Sequence, residues 1–160
     1  MRIAVLSDTH LRVGKSLPRF VWEQLTDIDM ILHAGDLTHS GLLEELSCIA
    51  PLRAVRGNCD GWDVSLPDRD MVECEGFRIG LIHGDSGKGK STAERAYRAF
   101  QDTTVDLIVF GHSHIPFMEW QEGMLLFNPG SPTDKRREPH YSMGILEIQL
   151  GQVTAKHLYF

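Results

Sequence analysis

Met1-Arg-Ile-Ala-Val-Leu-Ser-Asp-Thr-His10 is the stretch on which the fold turns. Ile3 to Leu6 is an unbroken apolar run, the pattern of a strand covered on both faces. It stops at Ser7-Asp8-Thr9-His10, where a carboxylate and an imidazole stand two positions apart. In extended backbone, alternate residues point the same way, so Asp8 and His10 are expected to converge on one point. A buried strand that delivers an acid and a histidine at its carboxyl end matches where open α/β sheets place ligands.

The same pattern recurs downstream. Asp29 to Ala34 reads as a second buried strand running into Gly35-Asp36, and Leu52 to Val55 as a third running into Gly57-Asn58-Cys59-Asp60. Phe77 to Ile82, the second strand of a hairpin begun at Met71, runs into His83-Gly84-Asp85. Leu107 to Phe110 runs into Gly111-His112-Ser113-His114. Between them the periodicity predicts helices over 18–25, with Phe20, Val21 and Leu25 inward, and over 41–49, capped by Ser40 with Leu42, Leu43, Leu46 and Ile49 inward. A third runs from Ser91 to Gln101 with Ala93, Ala96, Tyr97 and Phe100 inward. Strand, polar turn and helix in alternation predict βαβ units and a parallel sheet. After His114 the pattern becomes strands over 115–120, 124–127, 141–150 and 153–159 joined by turns, and Asp134 to Pro139 reads as a charged surface loop. A parallel half followed by an antiparallel half implies an α/β fold with a mixed sheet or two packed sheets.

The 160 residues are expected to form a single domain over 1–160, with no internal repeat or linker. No apolar run reaches the roughly 18 residues of a membrane span, and Met1 to Leu6 reads as strand rather than signal peptide. Three cysteines without a CxxC pair predict neither a disulfide framework nor a cysteine zinc site, and point to a reducing cytoplasm. The net charge of −6 argues against a general nucleic-acid surface. Trp62, Phe117 and Trp120 either complete the core, the preferred reading, or form the face of a homo-oligomer, a dimer or tetramer.

Five strand ends thus carry Asp8, His10, Asp36, Asn58, His83, His112 and His114. Carboxylate, carboxamide oxygen and neutral imidazole form a mixed oxygen and nitrogen set suited to divalent transition metals. Seven such residues exceed the needs of one ion and suit two ions sharing a bridging carboxylate. A phosphate ester is anionic and repels hydroxide. Two cations lower the pKa of a water, hold the phosphoryl oxygens and stabilise the charge of the transition state. The expected reaction is attack of that water on phosphorus, with no side-chain nucleophile.

In this order, Asp8-x-His10, Gly35-Asp36, Gly57-Asn58, His83-Gly84 and Gly111-His112-x-His114 resemble the signature of the calcineurin-like metallophosphoesterases, in particular the small phosphodiesterase branch. Asn128-Pro-Gly-Ser131 is similar to that branch as well. The resemblance implies a four-layer αββα sandwich of two mixed sheets between helices. It implies that Asp8, His10 and His114 hold one metal, that Asn58, His83 and His112 hold a second, and that Asp36 bridges them. Manganese is the first expectation; Ni, Co, Fe and Zn suit the same ligands. Asn58, Asp60 and His83 are the expected catalytic residues, and Asn58, Cys59, Lys88 and Lys90 the expected contacts to an anionic phosphoester.

The chain departs from the family pattern at two places. Cys59 stands where many members carry a histidine that protonates the leaving group, and a thiol is a poor proton donor to an alkoxide. Asp60, beside it, is expected to orient a ligand or a histidine. Asp85 stands where relatives often carry a second histidine. That removes one possible ligand or replaces it with a carboxylate. Without a strong acid, the chain is expected to act best on diesters, or on esters whose leaving group is already stable. Two other functions compete. Gly84 to Ser91 satisfies the phosphate-loop pattern GxxxxGK[ST], which would make the chain a nucleotide-binding NTPase. The family also includes a scaffold, the retromer subunit, that keeps the fold without catalysis.

Overall fold

The computed structural model describes residues 1–160. Ten strands and three helices follow one another as β1 (Arg2–Leu6), α1 (Arg19–Gln24), β2 (Met30–His33), α2 (Ser40–Ser47), β3 (Leu52–Ala54), β4 (Arg69–Cys74), β5 (Phe77–Ile82), α3 (Thr92–Ala99), β6 (Leu107–Phe110), β7 (Phe117–Gln121), β8 (Met124–Asn128), β9 (Ser142–Gln149) and β10 (Gln152–Tyr159). They make two five-stranded sheets, ordered β10-β9-β1-β2-β3 and β4-β5-β6-β8-β7. In the first, β1, β2 and β3 are parallel and β9 and β10 antiparallel; in the second, β5, β6 and β8 are parallel and β4 and β7 antiparallel. Each sheet is therefore mixed. The chain does not divide into a parallel half and an antiparallel half, because its last two strands return to flank its first.

Side-chain alternation along β1 shows how the layers form. Ile3 and Val5 face the second sheet and pack with Ile79, Leu81, Leu107, Val109 and Phe127. Ala4 and Leu6 face the opposite way, onto Val21 of α1, its C-cap Leu25, and Leu42 and Leu46 of α2. The second sheet repeats the plan: Ile108 and Phe110 cover α3 through Ala96 and Phe100. A strand with apolar side chains on both faces must have a layer on each side, and the result is helix, sheet, sheet, helix. Each fully buried Leu or Ile contributes on the order of 1.5–3 kcal/mol of transfer free energy, so the continuous run of β1 anchors two cores at once.

Some expectations are corrected. Ser40 is the first helical residue of α2 rather than its cap; His39 holds the cap position without a side-chain cap bond, and Ser40 N donates to Asp63 Oδ2 at 3.2 Å. Ile49 lies beyond the end of the helix and is exposed, while Ala50 turns inward in its place. Trp62 and Trp120 do not complete the core; they are 96% and 60% exposed. Only Phe117 packs, against the α3 core. For α3 the cap is as expected: Ser91 Oγ accepts from Glu94 N at 3.1 Å.

All six parallel strands run toward one edge of the sandwich. Strands β1, β2, β3, β5 and β6 bring their terminal polar residues there, and β8 adds Asn128. That is the crevice at carboxyl strand ends where α/β sheets bind ligands.

Candidate metal centre

The seven expected ligands meet at this edge in two groups. His10 Nε2 lies 3.3 Å from His114 Nε2, and His114 Nε2 lies 3.5 Å from Asp8 Oδ1. On the other side Asn58 Oδ1 lies 3.2 Å from His83 Nε2 and 3.0 Å from His112 Nδ1. Asp36 Oδ2 stands between them, 3.4 Å from His10 Nε2 and 3.4 Å from His83 Nε2.

The backbone that achieves this is not extended. Asp8, His10, Asp36, His112 and His114 all have left-handed φ, at 53, 42, 59, 66 and 60°. The convergence of Asp8 and His10 therefore comes from local left-handed turns and not from strand alternation. Asp and His tolerate that region better than most residues, at a cost of order 1–3 kcal/mol each, and such strain concentrates at functional sites. The surroundings hold it in place. Asp8 is buried; its carboxylate accepts from Ser7 Oγ at 2.7 Å and from His112 N at 3.1 Å. Gly57 must be glycine, because a Cβ there would overlap the Asp36 carboxylate and its backbone nitrogen.

Asp60 holds the backbone around Asp36. Its buried carboxylate accepts from Asp36 N at 3.0 Å, Gly57 N at 2.7 Å and Thr38 N at 2.7 Å. Asn128 and Ser131 brace the opposite side: Asn128 Nδ2 donates to Gly111 O at 2.8 Å, and Ser131 Oγ donates to the Asp8 carbonyl at 2.7 Å. The sequence marks both through Asn128-Pro-Gly-Ser131, but their bracing role depends on contacts across 17 and 123 residues.

The electrostatics follow from burial. Asp8 is pushed up to about 7 by desolvation, which the charge of His83 and the Ser7 hydroxyl only partly offset. His83 moves the other way: burial disfavours its charge, but the hydrogen bond to Asp36 and the Asp8 and Asp36 carboxylates carry it up to about 9. Burial would also raise Asp36, yet its bond to His83 and the His83 charge hold it below the usual carboxylate range. His112 and His114 are both lowered, chiefly by burial.

His33 belongs to the core and not to the ligand cluster. It is fully buried, its Nδ1 accepts from Gly35 N at 3.2 Å, and its Nε2 faces Thr9 Oγ1 at 3.2 Å. An accepting Nδ1 requires the neutral ring. Burial first, then the charge of His83, takes its pKa from 6.5 down to about 3. The unfolded chain binds this proton below about 6.5 and the folded chain only near 3, so the associated stability is present above 6.5 and lost as pH falls. We expect metal-free protein to lose about 2 kcal/mol from this group between pH 7 and pH 5. Urea titrations should show the pH slope shrinking by that amount in His33→Gln; an unchanged slope rules the assignment out.

Cys59 lies at the mouth, where its sulfur groups with His10 and Asp36, and its backbone N donates to Asp36 Oδ1 at 2.7 Å. Burial and the Asp36 charge push the thiol up to about 11. Two clefts open beside the ligands. One, of about 330 Å³, is lined by Arg56, Asn58, Asp68, Arg69 and Asp85; the other, of about 460 Å³, is lined by His10, Arg12, Lys15 and Asp134. Lys88 is an exposed loop residue, and Lys90 lines a different cleft with Ser91, Arg95 and Phe117. The cations that share a cleft with a candidate ligand are thus Arg56 and Arg69, beside Asn58, and Arg12 and Lys15, beside His10.

The charged run Asp134 to Pro139 is more than a surface loop. The carbonyl of Asp134 accepts from His114 Nδ1, and Arg136 reaches His114 Nε2 at 3.2 Å. Sequence reasoning missed Arg136, since nothing local distinguishes it from Arg137.

Comparison with known proteins agrees with this fold. The model of the calcineurin-like phosphoesterase superfamily domain matches residues 1–151. The chain belongs to that superfamily. A probable metallophosphoesterase of Methanothermobacter thermautotrophicus is 41% identical over 138 residues, covering 85% of this chain and 80% of the relative. A phosphodiesterase of Methanocaldococcus jannaschii is 26% identical, covering 81% of this chain and 83% of its own. Among solved structures, Vps29 of Chaetomium thermophilum superposes with a TM-score of 0.82 at 21% identity, covering 99% of this chain and 96% of that one, a likeness of fold. The two-sheet sandwich is the fold of this superfamily, whose members use divalent metals.

Proposed function

We propose that the chain is a phosphodiesterase whose centre holds two divalent ions, manganese by preference. The observation that carries this reading is the position of Asp36 Oδ2, 3.4 Å from a histidine of each ligand group. Asp8, His10 and His114 would hold one ion, Asn58, His83 and His112 the other, and Asp36 both. The residues fit such a pair. His83 Nδ1 donates to Ala34 O at 2.7 Å and His114 Nδ1 to Asp134 O, which turns each Nε2 toward the cluster as a metal-bound imidazole requires. The upward push on Asp8 marks a buried carboxylate that calls for cationic charge.

When bound, the ions supply an activated water and neutralise charge on the phosphoryl group. The chain does the rest. Asp60 fixes the backbone of Asp36, and Asn58, shared between His83, His112 and the Arg56 cleft, can contact substrate as well as metal. Cys59 stays a neutral thiol at physiological pH, so it is neither a nucleophile nor a strong acid. The leaving group must depart with little protonation, which favours diesters with stable leaving groups.

Both competing functions have less support. At Gly84 to Ser91, the Lys90 N–H that a phosphate loop would turn toward its ligand donates instead to Glu94 Oε2 at 2.7 Å, so a carboxylate occupies the start of α3. A scaffold role rests on fold alone, while all seven ligand positions hold competent side chains. We also take residues 1–160 as one domain acting in the cytoplasm on an anionic phosphoester, with the exposed Met118 and Trp120 of edge strand β7 as the face of any homo-oligomer. No helix is long and apolar enough to cross a membrane.

The deciding experiment is a screen of generic phosphomonoesters and phosphodiesters with Mn, Ni, Co, Zn and Mg. Metal-dependent hydrolysis of an aryl phosphodiester is expected. Rapid turnover of alkyl monoesters with diesters untouched would sink the diester assignment, and inactivity with every metal would restore the scaffold.

A further inference from the structure

Arg136 enters the centre from a loop that the metal-ligand pattern does not include. Its backbone φ is +51°, a conformation unusual for a long side chain. Asp134 Oδ2 accepts from Arg136 Nε at 3.0 Å, which leaves the terminal nitrogens of the fork free to reach inward. One of them lies 3.2 Å from His114 Nε2, the atom that faces His10 and Asp8. The loop that carries it is strapped to the site: Ser131 Oγ accepts from Asp134 N at 2.8 Å and donates to the carbonyl of Asp8.

From this geometry we infer that Arg136 is a substrate-binding residue, which donates from its guanidinium to a non-bridging phosphoryl oxygen. The inference rests on the metal-centre reading above. An imidazole whose Nε2 lone pair is on a metal cannot accept from Arg136, so the same N–H group is released beside that metal, where a phosphoryl oxygen needs a donor. Arginine suits the task, because its planar fork can keep the Asp134 bond on one side and offer charge-assisted bonds on the other. The Arg136 charge also acts on Cys59, where it counters part of the upward push of burial and Asp36. Arg136 therefore brings a fixed positive charge to the part of the mouth where the chain has a thiol. A guanidinium does not give up a proton in proteins, so the role is binding and not protonation of a leaving group.

The test compares wild type, Arg136→Gln and Arg136→Lys, using two readouts. Titration calorimetry with Mn alone reports the metal site, and inhibition of aryl diester hydrolysis by inorganic phosphate reports the anion site. The side chain is largely exposed, so the variants should fold as wild type does. Arg136→Gln is expected to bind Mn normally but to need roughly 10- to 100-fold more phosphate for the same inhibition, the usual worth of a hydrogen bond to a charged group. Arg136→Lys should fall between. Unchanged phosphate inhibition in Arg136→Gln overturns the inference, as does loss of Mn binding in that variant, which would make Arg136 a support for His114. Failure of wild type itself to bind Mn overturns the metal-centre reading and the inference with it.

Discussion

Asp36→Ala is expected to lower metal-dependent diester hydrolysis by more than about 100-fold. Loss of an outer-shell partner in a metal site typically costs 10- to 100-fold, and Asp36 is the one carboxylate within 3.4 Å of histidines from both ligand groups. Its removal takes away the proposed bridge and leaves His10 and His83 without the charge between them. Measured Mn stoichiometry should fall from two ions to at most one. Melting should be affected less than activity, because Asp36 stands at the sheet edge and not in either apolar core. Full metal-dependent activity in this variant would show that the bridging assignment is wrong.

Asp60→Ala carries the second large effect, and it should appear first as lost stability. The carboxylate receives three backbone N–H groups, from Asp36, Gly57 and Thr38, at 3.0, 2.7 and 2.7 Å. Each donor left unpaired in a buried place costs roughly 1–3 kcal/mol, so a loss of about 3 kcal/mol or more is expected. For a chain of this size that corresponds to a drop in melting temperature of roughly 6–12 °C. Activity should fall as well, since the left-handed turn at Asp36 loses its tether. Asp60→Asn keeps one acceptor and should be intermediate. A melting temperature within 2 °C or so of wild type in Asp60→Ala, a shift worth no more than about 1 kcal/mol, would mean that the turn is held by other contacts.

Much of the candidate metal centre was legible in the sequence because the residues proposed for it sit at strand ends. A buried strand is an apolar run and the turn after it is polar, so each ligand pair appears as a sharp boundary, as at Leu6-Ser7-Asp8 and Phe110-Gly111-His112. Cys59 was equally legible as a departure, and the structure adds that its thiol is raised rather than activated. The helix ends were less legible. Ile49 fits the helical period yet lies past the last turn of α2, since the chain must leave the helix before Pro51. Trp62 and Trp120 look like core by composition, but Trp62 lies in the loop after β3 and Trp120 on the edge strand β7, and both stay exposed.

What the sequence determined by itself is the set of candidate ligand types, their order, and the doubly buried strands that carry them, because these are local properties of composition and period. What only the tertiary structure decided is which residues face one another. The return of β9 and β10 to flank β1, the left-handed turns that aim Asp8 and His10, and the approach of Arg136 to His114 all depend on contacts between distant segments. Such contacts are set by how two sheets pack and which loops the packing brings together. No local pattern encodes the partner, so Arg136 and Arg137 are alike in the sequence and differ only in the fold.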